Sequence, residues 1–154
     1  MKGWIWFDMD GTIVDLYSDK KWLEKLKNED VSLFQRADSL YGTGELVGLL
    51  LELKMRGFNI GIISWTPPQS SRDYISAVID AKRFWLKERF LDYLFDKILI
   101  TDYETPKQET CKRFGTGILV DDKEEIRNAW DLGETIDASM NIIDEIKKMI
   151  ERVK

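Results

Sequence analysis

The sequence predicts an α/β fold in which a doubly wound, Rossmann-like parallel sheet carries helices on both faces. Two observations support this fold class. Short apolar runs that are typical of buried strands recur along the 154 residues, and segments with helical apolar spacing separate them. This alternation favours a parallel sheet covered by helices on both sides. The apolar fraction of 44% and the charged fraction of 33% are typical of one globular domain, which we expect to span residues 1–154.

Five short runs are predicted to form the strands of this sheet. The first, WIWF, consists entirely of large apolar residues. The second, FNIGIIS, is rich in β-branched residues and bounded by polar ones, as in a strand that is buried on both faces. The fifth, ETID, is the shortest of the later runs. In chain order, the predicted strands span residues 4–7, 58–64, 96–101, 117–122 and 134–137.

Two long helices are predicted around the second strand. One starts at Glu45, carries leucines at the spacing i, i+3, i+4 and i+7, and is followed by the stop signal Gly57. The other spans about 71–90, and Ser70 or Ser71 can cap it. Its predicted inward face consists of Tyr74, Val78, Ala81 and Trp85.

Two further helices are predicted in the last third of the chain. One starts near residue 123, with Ile126 and Trp130 facing inward. The other spans about 139–152, and its predicted apolar positions are Met140, Ile143, Ile146 and Ile150.

Residues 16–44 interrupt the alternation of strands and helices. This stretch is polar and mixed, and we expect one or two short helices in it. It is too small for a core of its own, so we interpret it as a small cap or flap inserted after the first strand.

Composition excludes several classes of enzyme. The chain contains no histidine, which rules out Ser-His-Asp hydrolysis, phosphohistidine chemistry and zinc sites with histidine ligands. The single cysteine, Cys111, permits no internal disulfide, and no arginine follows it at the spacing of cysteine phosphatases. Any catalytic groups are therefore carboxylates, hydroxyls, lysine or arginine, with a metal ion as the expected partner.

Charge and hydropathy also bear on location and partners. No apolar run approaches the roughly 20 residues of a membrane span, and no signal peptide is evident, so we expect a cytoplasmic protein without a membrane partner. The net charge of −5 and the lack of a basic stripe make a nucleic-acid partner unfavourable. The sequence does not define an oligomeric state.

Polar residues lie at the ends of four of the predicted strands or shortly after them, with Lys107 a few residues beyond the third strand. Parallel strands bind ligands at their carboxyl ends, so these residues are expected to converge at one edge of the sheet. Four carboxylates so close together would repel each other unless a cation neutralised them, and Mg²⁺ suits an all-oxygen site that a phosphate completes. Taken singly, each residue could equally belong to a turn or a helix cap. The residues at the strand ends are Asp8, Asp10, Ser64, Trp65, Thr66, Thr101, Asp102, Lys107, Asp121 and Asp122.

Four of these segments together resemble the motifs of the haloacid dehalogenase-like (HAD-like) superfamily of aspartate-nucleophile phosphohydrolases. FDMDGT is similar to its Asp-x-Asp-Gly-Thr motif, and Ser64 in GIISW to its strand-terminal serine or threonine. Lys107 in ETPKQE corresponds to the motif lysine, and ILVDD to the acidic pair. The order and spacing agree over residues 4–122. The resemblance implies a minimal or small-cap member of this superfamily.

The resemblance also implies roles for individual residues. Asp8 is expected to be the nucleophile that forms an aspartyl-phosphate, and Asp10 the general acid and base. Ser64 would hydrogen-bond a phosphoryl oxygen, and Lys107 would neutralise charge on the phosphoryl group and on Asp8. The expected Mg²⁺ ligands are Asp8, the backbone carbonyl of Asp10, and Asp121 or Asp122, with the choice within that pair left open.

The substrate pocket is predicted in less detail. With so small an insertion the pocket is expected to be relatively open, with 16–44 as a lid that contributes Trp22, Phe34 and Tyr41. We expect a small phosphorylated substrate, such as a nucleotide. Packing is as good an explanation for Trp65 as substrate contact. The candidate substrate-binding residues are Gly11, Thr12, Trp65 and Thr66.

Three alternatives stay open at this point. A phosphatase acting on a nucleic-acid end or a phosphoprotein would use the same residues. A receiver-like signalling domain, phosphorylated on aspartate, also combines Mg²⁺, acidic residues, a hydroxyl and a lysine, but in a different order along the chain. A catalytically idle binding protein with this fold would not need a competent residue at every motif position.

Overall fold

A computed structural model describes residues 3–153 and shows an α/β architecture built on a five-stranded parallel sheet. In chain order, the elements are β1 Trp4–Phe7, β2 Val14–Asp15, α1 Trp22–Lys27, α2 Ser32–Arg36, β3 Asp38–Ser39, α3 Thr43–Met55, β4 Asn59–Trp65, α4 Arg72–Arg89, β5 Lys97–Thr101, α5 Lys107–Cys111, a 3₁₀ turn Lys112–Phe114, β6 Gly117–Asp121, α6 Glu124–Ala129, β7 Thr135–Asp137 and α7 Ile142–Arg152.

The strands of the sheet lie in the order β5-β4-β1-β6-β7, and all four neighbouring pairs are parallel. The predicted fold class, a doubly wound Rossmann-like sheet flanked by helices, is therefore confirmed. Each of the five predicted strands forms, with bounds that differ from the prediction by at most one residue.

The alternation of side chains along β1 builds a core on each face of the sheet. Ile5 and Phe7 point into the larger core, which also contains the apolar faces of α3, α4 and α7. Trp4 and Trp6 point to the opposite face, into a smaller core beneath α5 and α6. The two indole rings stack there with centroids 4.6 Å apart. Gly61, the partner of Trp6 in β4, has no side chain because a Cβ atom would meet the Trp6 ring.

The predicted helices form, but one predicted boundary is wrong. The last helix begins at Ile142 rather than near residue 139, because the side chain of Asn141 accepts a hydrogen bond from the Ile143 backbone N–H and caps the helix there. Met140, predicted to face the core, lies before this cap and is 63% exposed. At the start of α4, Ser71 is the cap, and its hydroxyl accepts from the Tyr74 backbone N–H.

The insertion is held against α4 and does not stand away from the domain. It contains the two short helices α1 and α2, and the antiparallel pair β2–β3 closes its base. The indole N–H of Trp85 donates to the Ala37 carbonyl at 2.7 Å. At the other end of the contact, Ser71 donates through its backbone and its hydroxyl to the Glu29 carboxylate, at 2.8 and 2.7 Å.

In the part of the chain that the structure describes, no helix has both the length and the apolar character needed to cross a membrane.

Candidate active site

The candidate site lies at the carboxyl edge of the three central strands. In the sheet, β4 and β5 lie on one side of β1, and β6 and β7 lie on the other. The crevice between β1 and β6 is the switch point at which such folds bind ligands. Asp8 follows β1, Ser64 lies near the end of β4, and Asp121 ends β6, so the strand order alone brings these side chains together.

Asp8 is a buried carboxylate with a hydrogen bond to each oxygen. Lys107 Nζ donates to Oδ1 at 2.9 Å, and Thr12 Oγ1 donates to Oδ2 at 3.0 Å. A tight turn after β1 places Thr12 for this contact, since the Met9 carbonyl accepts from the backbone N–H of Thr12 and of the two residues after it. Thr12 was predicted to bind substrate, which stays a prediction. In the structure its hydroxyl orients Asp8.

Gly11 lies in the same turn, with a φ of +81° that favours glycine. The absence of a side chain also permits a close approach. A Cβ atom at this position would collide with the Asp122 carboxylate and lie 2.9 Å from the Tyr17 ring. Gly11 therefore has a structural role, because it lets the turn after β1 pack against the end of β6. Its role in substrate binding stays a prediction.

Lys107 is 2% exposed and connects two of the buried carboxylates. Besides its bond to Asp8 it donates to Asp121 Oδ2 at 2.7 Å. Burial acts to lower the pKa of Lys107, but the charges of Asp8 and Asp121 outweigh it and hold that pKa above its usual value. The loop that leads to Lys107 is fixed by Trp65, whose indole N–H donates to the Thr105 carbonyl at 2.7 Å.

Asp8, Asp121 and Asp122 form an acidic cluster that could hold a metal ion. Each offers a carboxylate oxygen, and these oxygens all lie within 4.8 Å of one another. Burial, followed by the charges of Asp8 and Asp121, raises the pKa of Asp122 to about 7. Burial and Asp8 likewise raise the pKa of Asp121, against the opposing effect of Lys107. Keeping these buried carboxylates ionised close together is therefore unfavourable, and a bound cation would reduce the repulsion between them.

One oxygen of this cluster lacks a protein partner. Asp122 Oδ1 is buried and has no hydrogen-bond partner among residues 3–153. Asp121 differs, because Lys107 donates to its Oδ2 and the Lys123 backbone N–H donates to its Oδ1 at 3.0 Å. A buried oxygen without a donor, in an all-carboxylate cluster, fits a hard divalent cation. The side chain of Asp10 lies outside the cluster, so its predicted role as a ligand rests on its backbone carbonyl and stays a prediction.

The structure also places Lys82 at this site, which no motif in the sequence indicated. Lys82 lies in α4 and is 2% exposed. Its ammonium donates to Asp10 Oδ2 at 2.9 Å, to Ser64 Oγ at 2.8 Å and to the Trp65 carbonyl at 2.8 Å. The available signal was its position four residues after Val78, on the buried face of the helix, where a charged residue needs a partner.

A small cavity of about 100 Å³ opens beside these groups. Polar lining comes from the site residues, and apolar lining comes from the insertion and from the loops after β4 and β5. Thr66 is one of the lining residues, and its Oγ1 is a buried hydroxyl without a hydrogen-bond partner among the described residues. The lining includes Asp8, Asp10, Tyr17, Trp22, Phe34, Ser64, Trp65, Thr66, Tyr103, Lys107 and Asp121.

Two of the three aromatic residues predicted for a lid line this cavity. Trp22 and Phe34 do so, whereas the Tyr41 hydroxyl contacts the Met140 carbonyl at 3.4 Å and the Ile142 backbone N–H at 3.3 Å, at the start of α7. Tyr17, which sequence analysis did not single out, lies edge-on to Trp22 with ring centroids 5.0 Å apart. Burial and the neighbouring Asp10 raise the pKa of its hydroxyl, so Tyr17 stays a neutral donor.

Trp65 both packs and lines the cavity. Its ring meets Tyr103 edge-on at 5.4 Å, and Lys107 Nζ lies 5.3 Å from the ring centroid. These contacts account for Trp65 as a support for the Lys107 loop, and substrate contact by its exposed part stays a prediction.

Comparison with known proteins adds no assignment: no protein-family model matches the chain, and a search of the curated proteins found no match.

Proposed function

We propose that this chain is a Mg²⁺-dependent phosphomonoester hydrolase of the HAD-like superfamily that forms an aspartyl-phosphate on Asp8. The observation that carries the proposal is the setting of Asp8. It is a carboxylate at the switch point of the sheet, hydrogen-bonded through both oxygens and clustered with two further carboxylates that could hold a cation. A nucleophilic carboxylate must be oriented toward phosphorus, and the hydrogen bonds from Thr12 and Lys107 fix the orientation of Asp8.

The first chemical step transfers the phosphoryl group to the protein. An oxygen of Asp8 forms a bond to phosphorus while the bond from phosphorus to the leaving oxygen breaks. The electron pair of that bond stays on the leaving oxygen, which takes a proton from Asp10 and departs as an alcohol. Asp10 suits this role because its side chain is 19% exposed and lines the cavity, so the leaving group can reach it.

The second step returns the protein to its starting state. A water oxygen attacks phosphorus, and its proton passes to Asp10, which is now a carboxylate. The bond between phosphorus and Asp8 breaks, its electron pair restores the Asp8 carboxylate, and inorganic phosphate leaves. One residue thus serves as acid and then as base, and a single difficult displacement is divided into two easier ones.

Phosphoryl transfer depends mainly on positioning and on neutralising charge. Lys107 uses two of its three N–H groups on Asp8 and Asp121, so one remains for a phosphoryl oxygen. Ser64 and Thr66 line the same cavity, and their hydroxyl groups would supply further donors to the phosphoryl group.

The acidic cluster supplies the metal ligands in this proposal. Asp8, the backbone carbonyl of Asp10, and Asp121 or Asp122 would hold Mg²⁺, and the unpartnered Asp122 Oδ1 favours a part for Asp122. When bound, Mg²⁺ would supply positive charge to the phosphoryl oxygens. Asp8, Asp121 and Asp122 share one buried ammonium, that of Lys107, so a divalent cation would offset the negative charge that remains when these carboxylates are ionised.

We infer a small phosphate ester, such as a nucleotide, as the substrate. The cavity of about 100 Å³ is below the usual range of roughly 300 Å³ and more for ligand pockets, so it suits the phosphoryl end of a substrate. The remainder of the substrate would then lie outward, toward the aromatic rings of Tyr17, Trp22, Trp65 and Tyr103.

The test is a panel of phosphate esters assayed with Mg²⁺ and with excess chelator. The panel includes nucleotides, sugar phosphates, aryl phosphates, a phosphopeptide and a 5′-phosphorylated oligonucleotide, so that the macromolecular alternatives are outcomes of the same experiment. We expect hydrolysis that requires Mg²⁺ and is lost in Asp8→Asn. Asp92→Asn, at an exposed position outside the site, is the matched control and retains activity. Turnover by Asp8→Asn, or turnover in chelator, contradicts the proposal.

A further inference from the structure

Lys82 is a buried cation that the two chemical steps above do not use. It is 2% exposed, and its ammonium lies between the second carboxylate of the β1 turn and the end of β4. Burying an ammonium is costly unless its donors are satisfied, so a lysine at this position calls for an explanation beyond packing.

We propose that Lys82 is a positioning residue for the phosphohydrolase: it fixes the Asp10 carboxylate relative to Ser64, so that Asp10 meets the leaving oxygen, and it does not itself touch the substrate. This inference rests on the proposed function. It adds to the site a residue from the interior of helix α4, whose ion pair with Asp10 is separate from those that Lys107 makes with the acidic cluster.

Lys82 and Lys107 differ in how many of their N–H groups have a protein acceptor. A lysine ammonium has three N–H groups. Those of Lys82 are matched by three protein oxygens, at 2.9 Å from Asp10 Oδ2 and at 2.8 Å from both Ser64 Oγ and the Trp65 carbonyl. Lys107 donates to only two carboxylate oxygens and retains a donor for the phosphoryl group. Lys82 therefore acts on the protein groups and Lys107 on the substrate.

The surroundings of Lys82 make it a rigid support. Its Cα belongs to the 18-residue helix α4, and neighbouring positions of that helix are buried in the larger core. The bond to the Trp65 carbonyl ties the ammonium to the backbone of β4, which is a fixed reference point. On another side, the Phe34 ring of the insertion lies 5.4 Å from Nζ and helps to keep water away.

The consequence for the reaction is specific to Asp10. Lys82 occupies Oδ2 of that carboxylate, so Oδ1 is the oxygen that we assign to the leaving group and, in the second step, to water. Without Lys82 the Asp10 side chain would be free to rotate, and proton transfer to the leaving oxygen would lose its geometry. Attack by Asp8 would change little, because Thr12 and Lys107 hold the nucleophile independently.

The experiment compares Lys82→Met with the wild-type protein on aryl phosphates whose leaving groups differ in basicity. Phenyl phosphate needs a proton on its leaving oxygen, whereas 2,4-dinitrophenyl phosphate does not. We expect kcat/KM for phenyl phosphate to fall about 100-fold in Lys82→Met, because a misplaced general acid loses an effect of that order. For 2,4-dinitrophenyl phosphate we expect a change below about threefold in kcat/KM, since that step proceeds without the acid.

A second readout follows the same variant over time. With 2,4-dinitrophenyl phosphate, Lys82→Met should release one equivalent of dinitrophenolate in a burst and then turn over slowly, because attack of water on the intermediate still needs Asp10. Lys87→Met is the matched control. This lysine lies on the same helix, is exposed, and should show wild-type rates with both esters.

Lys82→Arg keeps the proposal testable if Lys82→Met does not fold. Arginine retains the charge, but its planar fork cannot place one donor on each of the three oxygens, so the greater loss with phenyl phosphate should persist. Equal losses for the two esters, or no loss, overturn the role of Lys82 and leave the proposed function intact. If the wild-type protein hydrolyses no phosphate ester, the proposed function fails, and the role of Lys82 fails with it.

Discussion

Replacing Lys107 with methionine should destabilise the metal-free protein strongly, because it removes the only cation that bridges two buried carboxylates among the described residues. The ammonium makes bonds of 2.9 Å to Asp8 and 2.7 Å to Asp121, and both Lys107 and Asp121 are essentially inaccessible to water. Removing one partner of a buried ion pair costs about 3–5 kcal/mol. For a chain of this length that loss corresponds to a decrease of roughly 10 °C in melting temperature.

The size of this effect should depend on pH in a defined direction. Burial and Asp8 already raise the pKa of Asp121, and Lys107 opposes that rise, so removing Lys107 would raise this pKa further and let the folded variant hold a proton that the unfolded chain has released. The free energy of unfolding of Lys107→Met would therefore be closest to that of the wild-type protein at about pH 5. The difference between the two would increase as the pH rises to about 8.

Urea unfolding in excess chelator, followed by circular dichroism at several pH values, measures this prediction. Lys112→Met is the matched control, because Lys112 forms an exposed ion pair with Glu109 and its loss should leave stability near that of wild type. If Lys107→Met unfolds at the same urea concentration as Lys112→Met, the buried charge network described above is incorrect.

Two further predictions concern the acidic cluster and the core. In the metal-free protein, the free energy of unfolding should fall as the pH rises from about 5 to about 8, because the pKa of Asp122, raised to about 7, lets the folded state hold a proton that the unfolded chain has released. Binding of Mg²⁺ would displace that proton, so the rise in melting temperature caused by Mg²⁺ should grow over the same pH range. Asp122→Asn should lose most of the pH dependence of stability and most of the stabilisation by Mg²⁺. A stabilisation by Mg²⁺ that does not depend on pH would contradict this prediction. Gly61→Ala should destabilise by about 1–3 kcal/mol in chemical unfolding, because its methyl group would meet the Trp6 ring. Gly48→Ala, in helix α3 with open space around it, should gain up to about 1 kcal/mol, and equal effects of the two changes would show that the packing of Trp6 is not as described.

Much of the fold could be predicted because the signals were local. WIWF, FNIGIIS and the leucine spacing after Glu45 each define an element through its own residues, and the alternation of elements defines the class of sheet. The structure also brings Asp8, Ser64, Lys107 and Asp121 together at one edge. Parallel strands impose this convergence, so for Asp8, Ser64 and Asp121 a position at the end of a strand was sufficient to predict it, whereas Lys107 lies at the start of α5 and was indicated by the motif order.

The features that could not be predicted depend on distant parts of the chain. Lys82 reaches the site from a helix, and only the packing of α4 over the sheet decides that its ammonium meets Asp10. The two-residue strands β2 and β3 are too short to show a period of two. The last helix begins at Ile142 because Asn141 caps it there. The apolar pattern in the sequence, which included Met140, predicted an earlier start.

Chemical trapping of the aspartyl-phosphate shows whether Asp8 is the nucleophile. Asp10→Asn, mixed with Mg²⁺ and 2,4-dinitrophenyl phosphate, should form the intermediate and hydrolyse it slowly, because attack by water lacks its base. Acid quenching, reduction with borohydride and peptide mass spectrometry then identify the phosphorylated residue. We expect homoserine at position 8, with no such product when Asp8→Asn is added to the same variant. A phosphoryl group on another residue, or release of dinitrophenolate without modification of Asp8, contradicts the assignment of Asp8 as the nucleophile.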